Sequence, residues 1–336
     1  MLGLTLGTTL LACLVFAAGQ AQETTAEENG FLVRKLEENL SAEGRTVRFR
    51  DVSGILSSDA TIGEITIADE TGVWLRIENA GIIWTRTALL RGVVSVNSLS
   101  ADRIAILRKP VAANAGLEPN SRSWTIPDLP VSVNIDKITI KRLEIDPSLT
   151  GIDAVLAANA ALGIDSTGMR ASLDASRLGR SDDRLHLDID LVRETRTLNL
   201  DVVLDEAADG LIANALHIQD HPPVRAAITG KGTLDEIEIT ASVSTDQPDL
   251  VTGRFSVKPS PEGHDMTALI EGQFGQLVPA IYADFFTGTS RLQASALLKT
   301  DGGLEISDFQ TQLQGFNLSG NASTTRDFFL SRLELQ

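Results

Sequence analysis

The stretch Leu185-His186-Leu187-Asp188-Ile189-Asp190-Leu191 decides the fold class. Apolar and polar residues alternate strictly in it, and a period of two puts every second side chain on one face of a β-strand. Leu198-Asn199-Leu200-Asp201-Val202 repeats the pattern, and so does Ile237-Glu238-Ile239-Thr240-Ala241-Ser242-Val243. One face of each segment is aliphatic; the other carries Asp, Asn, Glu and Thr. The chain therefore reads as mostly β, a succession of amphipathic strands. What covers their aliphatic face is the functional question.

Working outward, the same alternation begins at Thr46. Ile65 and Ile67 share a face, as do Val73, Leu75 and Ile77, on either side of the turn signal Asp69-Glu70-Thr71-Gly72. Ile82 and Trp84, Val94 and Val96, then Ile104 and Ile106 continue it. From Pro110 to Pro130 the pattern gives way to Pro, Asn, Ser and Gly, which predicts a long loop over 111–130. Val131, Val133 and Ile135 resume the alternation; Ile138 and Ile140 follow out of phase, predicting a bulge near Asp136-Lys137. Further on, Asp205 to Leu216 reads as a short helix. Phe274, Leu277, Ile281 and Phe285 recur at helical spacing despite Pro279, predicting a helix over Gln273–Phe286. Gly230-Lys231-Gly232 reads as a turn. Leu292 to Leu298 and Phe309 to Leu313 are strands. The sequence stops at Gln336 without a terminal cap, which reads as a truncation.

The N-terminus reads as an export or anchor signal over 1–21. Leu2 to Ala18 carries no charge, and Ala17-Ala18-Gly19-Gln20-Ala21 offers small residues where a signal peptidase cuts, with cleavage after Ala21. Retained instead, the run is nearly long enough to span a bilayer. No Lys or Arg precedes Arg34, so the usual basic leader is missing. Either way the body from Gln22 is expected outside the cytoplasm. Thr25-Ala26-Glu27-Glu28 then reads as a capping box. It opens an amphipathic helix within 22–44, with Leu32, Leu36 and Leu40 on one face and Gly44 as terminator.

Composition narrows the function classes. Of 336 residues 43% are hydrophobic but only 4% aromatic, with one Tyr and three Trp, and the formal charge is −16. That charge disfavours nucleic acid as a partner, because no basic stripe offsets phosphate repulsion. The single Cys13 lies in the apolar leader, so the body forms no disulfide. His217 and His221 have the spacing of a helical metal pair. No glutamate base stands between them, however, and Pro222-Pro223 follows at once, so a solvated loop is the better reading. No nucleophile elbow, phosphate-cradling glycine loop or Cys-x-x-Cys occurs. Asp188, Asp190, Asp201 and Glu238 are the polar face of strands. We read no catalytic site, metal site or cofactor site in the chain.

Three coverings of the aliphatic face come into question. A second sheet would make a sandwich. Lipid would make an outer-membrane barrel, but such barrels carry aromatic girdles that one Tyr and three Trp cannot furnish. Third, a long curved sheet could leave the face lining an open groove. Its walls would be Ile65, Ile67, Leu75, Ile77, Val133, Ile135, Ile138 and Ile140, continued by Leu187, Ile189, Leu191, Leu198, Leu200, Val202, Ile237 and Ile239. Phospholipid acyl chains suit such walls, since aliphatic contact gains about 25 cal/mol per Å² buried without demanding one shape.

A resemblance selects among these. The run Ile65-Thr66-Ile67-Ala68-Asp69-Glu70-Thr71-Gly72-Val73-Trp74-Leu75 leads into Ile82-Ile83-Trp84. Ala88-Leu89-Leu90-Arg91-Gly92, Leu99-Ser100-Ala101 and Arg108-Lys109-Pro110 follow. This segment, within 45–110, resembles the N-terminal region of the TamB family, subunits of the translocation and assembly module, grouped with the AsmA-like and bridge-like lipid-transfer proteins. The remainder, Val111 to Gln336, with the continuing amphipathic sheet over 131–336, matches only in style. The resemblance implies a single inner-membrane anchor and a periplasmic, taco-shaped β-sheet with an apolar groove. It also implies roles in outer-membrane protein assembly, autotransporter secretion and phospholipid transport between membranes, with an outer-membrane barrel partner. The chain is far shorter than a full member and reads as its N-terminal portion. An exported adhesin, or a structural β-solenoid or sandwich without lipid transport, is the alternative from the binding class; a solenoid would show a fixed short period, and none is found.

Overall fold

A computed structural model describes residues 26–336 except 55–56, 112–131, 247–249, 301, 314–315 and 326–329. The leader with Cys13, the cleavage position Ala21 and nearly all of the expected 111–130 loop lie outside the described residues. What is described is mostly β, 66% strand and 13% helix, with seventeen strands. The chain divides into two compact units. The first contains helix α1 (Ala26–Leu40) and strands β1 (Thr46–Ser53), β2 (Asp59–Asp69), β3 (Gly72–Trp84), β4 (Val93–Ile106), β5 (Ser132–Ile145) and β6 (Ala154–Asp165). Strand β7 (Gly168–Arg177) is divided between the units. The second contains β8 (Arg180–Val192), β9 (Thr197–Glu206), β10 (Val224–Thr233), β11 (Ile237–Ser244), β12 (Val251–Ser260) and β13 (Gly263–Gly272). It continues with β14 (Ser290–Lys299), β15 (Leu304–Leu313), β16 (Phe316–Thr324) and β17 (Leu330–Leu335).

In the first unit β1 to β4 form an antiparallel meander. Its tightest turn is the predicted one: the Asp69 carboxylate accepts from the Thr71 backbone N–H at 2.8 Å and the Thr71 hydroxyl at 2.7 Å, and Gly72 takes a φ of 120°. Next to it, β4 and β5 pair in parallel, and β6 returns antiparallel. The register slips between Ile135 and Ile138, where the phase change in the sequence predicts a bulge. Two buried clusters hold this unit. Leu40, Val47, Ile65, Ile67, Trp74 and Leu75 pack where α1 meets the sheet; Trp84, Val94, Val96, Val133 and Ile135 pack across β4 and β5.

The second unit is a pure antiparallel meander from β8 to β17, each strand pairing with its sequence neighbour. Three expectations fail here. Gly230-Lys231-Gly232 is the interior of β10, paired on both sides; a Cβ on Gly230 would lie 3.1 Å from Ile239 Cγ1, so the glycine yields space to its large neighbours. The helix expected over Gln273–Phe286 is three short turns, Phe274–Gln276, Ala280–Ala283 and Asp284–Phe286. Pro279 is the reason: its ring fixes φ at −54° outside the middle turn, and it has no N–H to carry a helix through. Ile281 and Phe285, two of the residues at helical spacing, are 76% and 64% exposed. Finally, β9 runs on to Glu206, and only Leu211–Ala215 is helical in the segment expected to be helix from Asp205.

Candidate functional site

The sheet in both units is one-sided, and the register shows how. Residues directly opposed across a strand pair share a face. In the second unit Ile189 opposes Leu200, which opposes Gly230, then Ile239, Phe255, Ala268, Ala294 and Phe309. On one side of this row runs Leu187, Val202, Ile228, Ala241, Gly253, Ile270 and Leu292. On the other runs Leu191, Leu198, Gly232, Ile237, Val257, Met266, Ala296 and Ile306. Two of the rows cross eight strands and the third crosses seven, ending at Leu292, which opposes Thr311 on β15; none of the three carries a charge or a side-chain hydrogen-bonding group. At about 4.8 Å per strand the middle row is on the order of 34 Å long. Between the rows, on the opposite face, Asp188 stands against Asp201, Asp201 against Thr229, Thr229 against Thr240 and Lys231 against Glu238.

The expected wall residues Leu187, Ile189, Leu198, Leu200, Val202 and Ile239 all lie on the apolar face and stay half-buried; Leu191 and Ile237 are buried. Ile228 and Ile270 on the same face are 37% and 40% exposed. The described strands all belong to one sheet.

The first unit holds a cavity of about 190 Å³. That is more than ten times the space one water needs, and an engineered apolar cavity of about 150 Å³ takes up benzene. Its wall is Leu40 of α1 and Val47 of β1. Its floor is Ile65 and Ile67 of β2, Ile77 and Ala80 of β3, Leu99 to Ala101 and Ile104 of β4, and Ile138 to Ile140 of β5. Five expected wall residues therefore line it: Ile65, Ile67, Ile77, Ile138 and Ile140. Leu75, Val133 and Ile135 instead pack into the two buried clusters.

The cavity has a cause in the sequence that alternation does not disclose. Ala80 opposes Ala101, which opposes Ile140, which opposes Ala158, whereas the row one pair away holds Ile65, Ile77, Ile104 and Leu143. Alanines in mid-floor leave the volume that isoleucines elsewhere fill. Arg45, the one charged residue in the lining, also escapes a pattern search.

Polar contacts on and around these sheets position strands. Arg103 holds Glu78 at 2.7 Å and Glu144 at 2.6 Å, tying β3, β4 and β5 together. Arg103, and after it Arg142, hold the Glu144 carboxyl down at about 2. Arg108 clamps Asp69 through both oxygens at 2.8 and 2.6 Å and holds that carboxyl far below the carboxylate range. Glu206 is buried, and burial raises its pKa, yet both its oxygens are spent on the backbone N–H groups of Leu211 and Ile212 at 2.7 and 2.8 Å. His217 and His221 follow the short Leu211–Ala215 helix in left-handed conformations, so they do not share a helical face. Among the described residues no group of three metal-ligating side chains is brought together, and no helix is long and apolar enough to cross a membrane.

Comparison with protein-family models, with curated proteins and with solved structures finds no match to this chain.

Proposed function

We propose that this protein is a lipid-handling scaffold of the bacterial envelope. On this reading its body lies in the periplasm, tethered to the inner membrane by the apolar N-terminal run, and its apolar sheet face serves as a hydrophobic groove for acyl chains. One observation carries the reading: three rows of apolar and small residues, without a charge, cross seven or eight strands, and most of their members are half-buried or exposed. Soluble monomers rarely leave an apolar patch of more than a few hundred Å² open to water without a partner for it. An acyl chain needs only continuity of apolar wall, and the absence of charge in the rows supplies it. The resemblance of 45–110 to the TamB family supports the finer proposal. In that proposal the protein works in the translocation and assembly module, in intermembrane phospholipid transport and in outer-membrane protein and autotransporter assembly beside a barrel partner. No chemistry is asked of the protein, so it acts as a conduit and not as an enzyme.

Native mass spectrometry of the purified full chain tests the proposal. Co-purified phospholipid, lost when Leu200→Asp interrupts the middle row, is the expected result. A wild-type protein that carries no lipid and takes up none from phospholipid vesicles would reject it.

A further inference from the structure

The cavity of the first unit is not uniform: it is apolar along its length and cationic at one end. Arg45 sits in the turn between α1 and β1, its position fixed by reciprocal backbone hydrogen bonds with Ala42 at 2.9 Å each. Gly44 makes that turn possible with a φ of 72°. From there Arg45 Nε donates to the Leu40 carbonyl at 3.1 Å, at the C-terminus of α1, where the helix dipole favours a cation. That uses one of five guanidinium donors. Arg48, Arg50, Arg76, Arg103, Arg108 and Arg142 in the same unit each hold a carboxylate. Arg45 holds none among the described residues.

The lining runs from β1 to β5, so the cavity crosses four strand spacings, about 19 Å. An acyl chain spans one leaflet, on the order of 15 Å, half of the ~30 Å hydrocarbon core. The length suits an extended chain, and the free guanidinium donors suit an oxyanion at its head. We infer that this cavity is a head-selective site for a long-chain anionic amphiphile, with Arg45 binding the head group and the Ala80–Ala101 floor receiving the chain. The inference rests on the lipid-handling reading and adds polarity to it: the carboxylate or phosphate end lies beside β1, and the chain points towards β5.

The test compares oleate with oleyl alcohol, the same chain without the charge, by calorimetric titration of the full protein below the concentration at which oleate forms micelles. The wild type is expected to bind oleate about tenfold more tightly, the scale of one charge-assisted contact. Arg45→Gln should erase that preference and leave the alcohol unchanged, while Arg45→Lys keeps part of it. Ala101→Leu should weaken both ligands by filling the floor, with near-ultraviolet circular dichroism showing the fold retained. An unchanged oleate preference in Arg45→Gln overturns the inference. Oleate binding that survives Ala101→Leu and disappears in Leu200→Asp would place the ligand on the second unit, leaving the lipid-handling reading standing and this site refuted. A wild type that binds neither ligand refutes both.

Discussion

The two units carry the same one-sided alternation and put it to opposite uses. In the first, Val94 and Val96 are 0% and 1% exposed beneath neighbours from β3 and β5, and α1 lays Leu40 over the edge of the sheet. In the second, every member of the central row from Ile189 to Phe309 except Gly230 stays half-buried. Alternation therefore sets the chemistry of a face but not its cover. Side-chain size and one amphipathic helix make the difference. The first unit packs Trp84, Val94, Val96, Val133 and Ile135 into one buried cluster, whereas the middle row of the second interleaves Gly230, Ala268 and Ala294 with its larger residues.

The contrast breaks most sharply under a buried charge. Val94→Asp should unfold the first unit, because an unpaired carboxylate in that cluster costs several kcal/mol, comparable to the whole stability of an ordinary domain. Urea denaturation followed by Trp74 and Trp84 fluorescence, on a Trp124→Phe background, reads it. Native-like emission in Val94→Asp would show that this core is no better covered than the second unit.

The matched change in the second unit should be far milder. Ile189→Asp and Leu200→Asp place the charge on a face that water reaches, so about 1–2 kcal/mol is expected and the far-ultraviolet spectrum should persist. Bound lipid should be lost in both. Global unfolding of both variants would mean that the face is closed after all.

Acid should also separate the units. Asp69 has a folded pKa below its unfolded value, so it contributes stability that is present above about pH 4 and is lost as pH falls further. Glu206 has the opposite sign: burial raises its folded pKa, so its penalty is present at neutral pH and is relieved as pH falls towards the unfolded value of 4.5. Between pH 5 and 3 the tryptophan transition of the first unit should therefore weaken relative to that of the second, which Tyr282 fluorescence can follow. Asp69→Asn should flatten the difference, and an unchanged profile in that variant would refute the assignment.

The smallest effect belongs to the polar face. Asp188 lies directly opposite Asp201, both exposed, and like charges so placed repel. Asp188→Asn should stabilise by a few tenths of a kcal/mol and leave lipid binding intact. A loss of lipid would mean that the ligand uses this face.

How much of this the sequence disclosed follows from which forces act locally. Strict alternation over Leu185–Leu191 and Leu198–Val202 reflects the strand's period of two, and it marked the apolar face of β8 and β9. The Asp69–Gly72 turn and the bulge after Ile135 were equally legible, since a side-chain cap and a phase slip both leave local marks. Gly230-Lys231-Gly232 misled because two glycines are a turn signal unless the partners Leu200 and Ile239 are known to need their space. Phe274 to Phe285 misled because helical spacing survives in a segment that Pro279 breaks. Ala80, Ala101 and Arg45 gave no signal. Ala80 and Ala101 define a cavity only through the register of three strands, and Arg45 matters for the carboxylate it does not hold.

The parallel pair of β4 and β5 bears on the order in which the protein folds. Each described pairing in the second unit joins sequence neighbours, so any hairpin there can nucleate and the rest can add strand by strand. Val93 pairs with Ser132, by contrast, and that contact requires a long excursion of chain to be closed first. Such closure is slow, although doubling the excursion adds only about 0.6 kcal/mol. The Val94, Val96, Val133 and Ile135 cluster lies on that seam. The most deeply buried side chains of the first unit thus sit where an entropic debt is incurred, and a lesion on the seam would delay folding as well as weaken the finished protein.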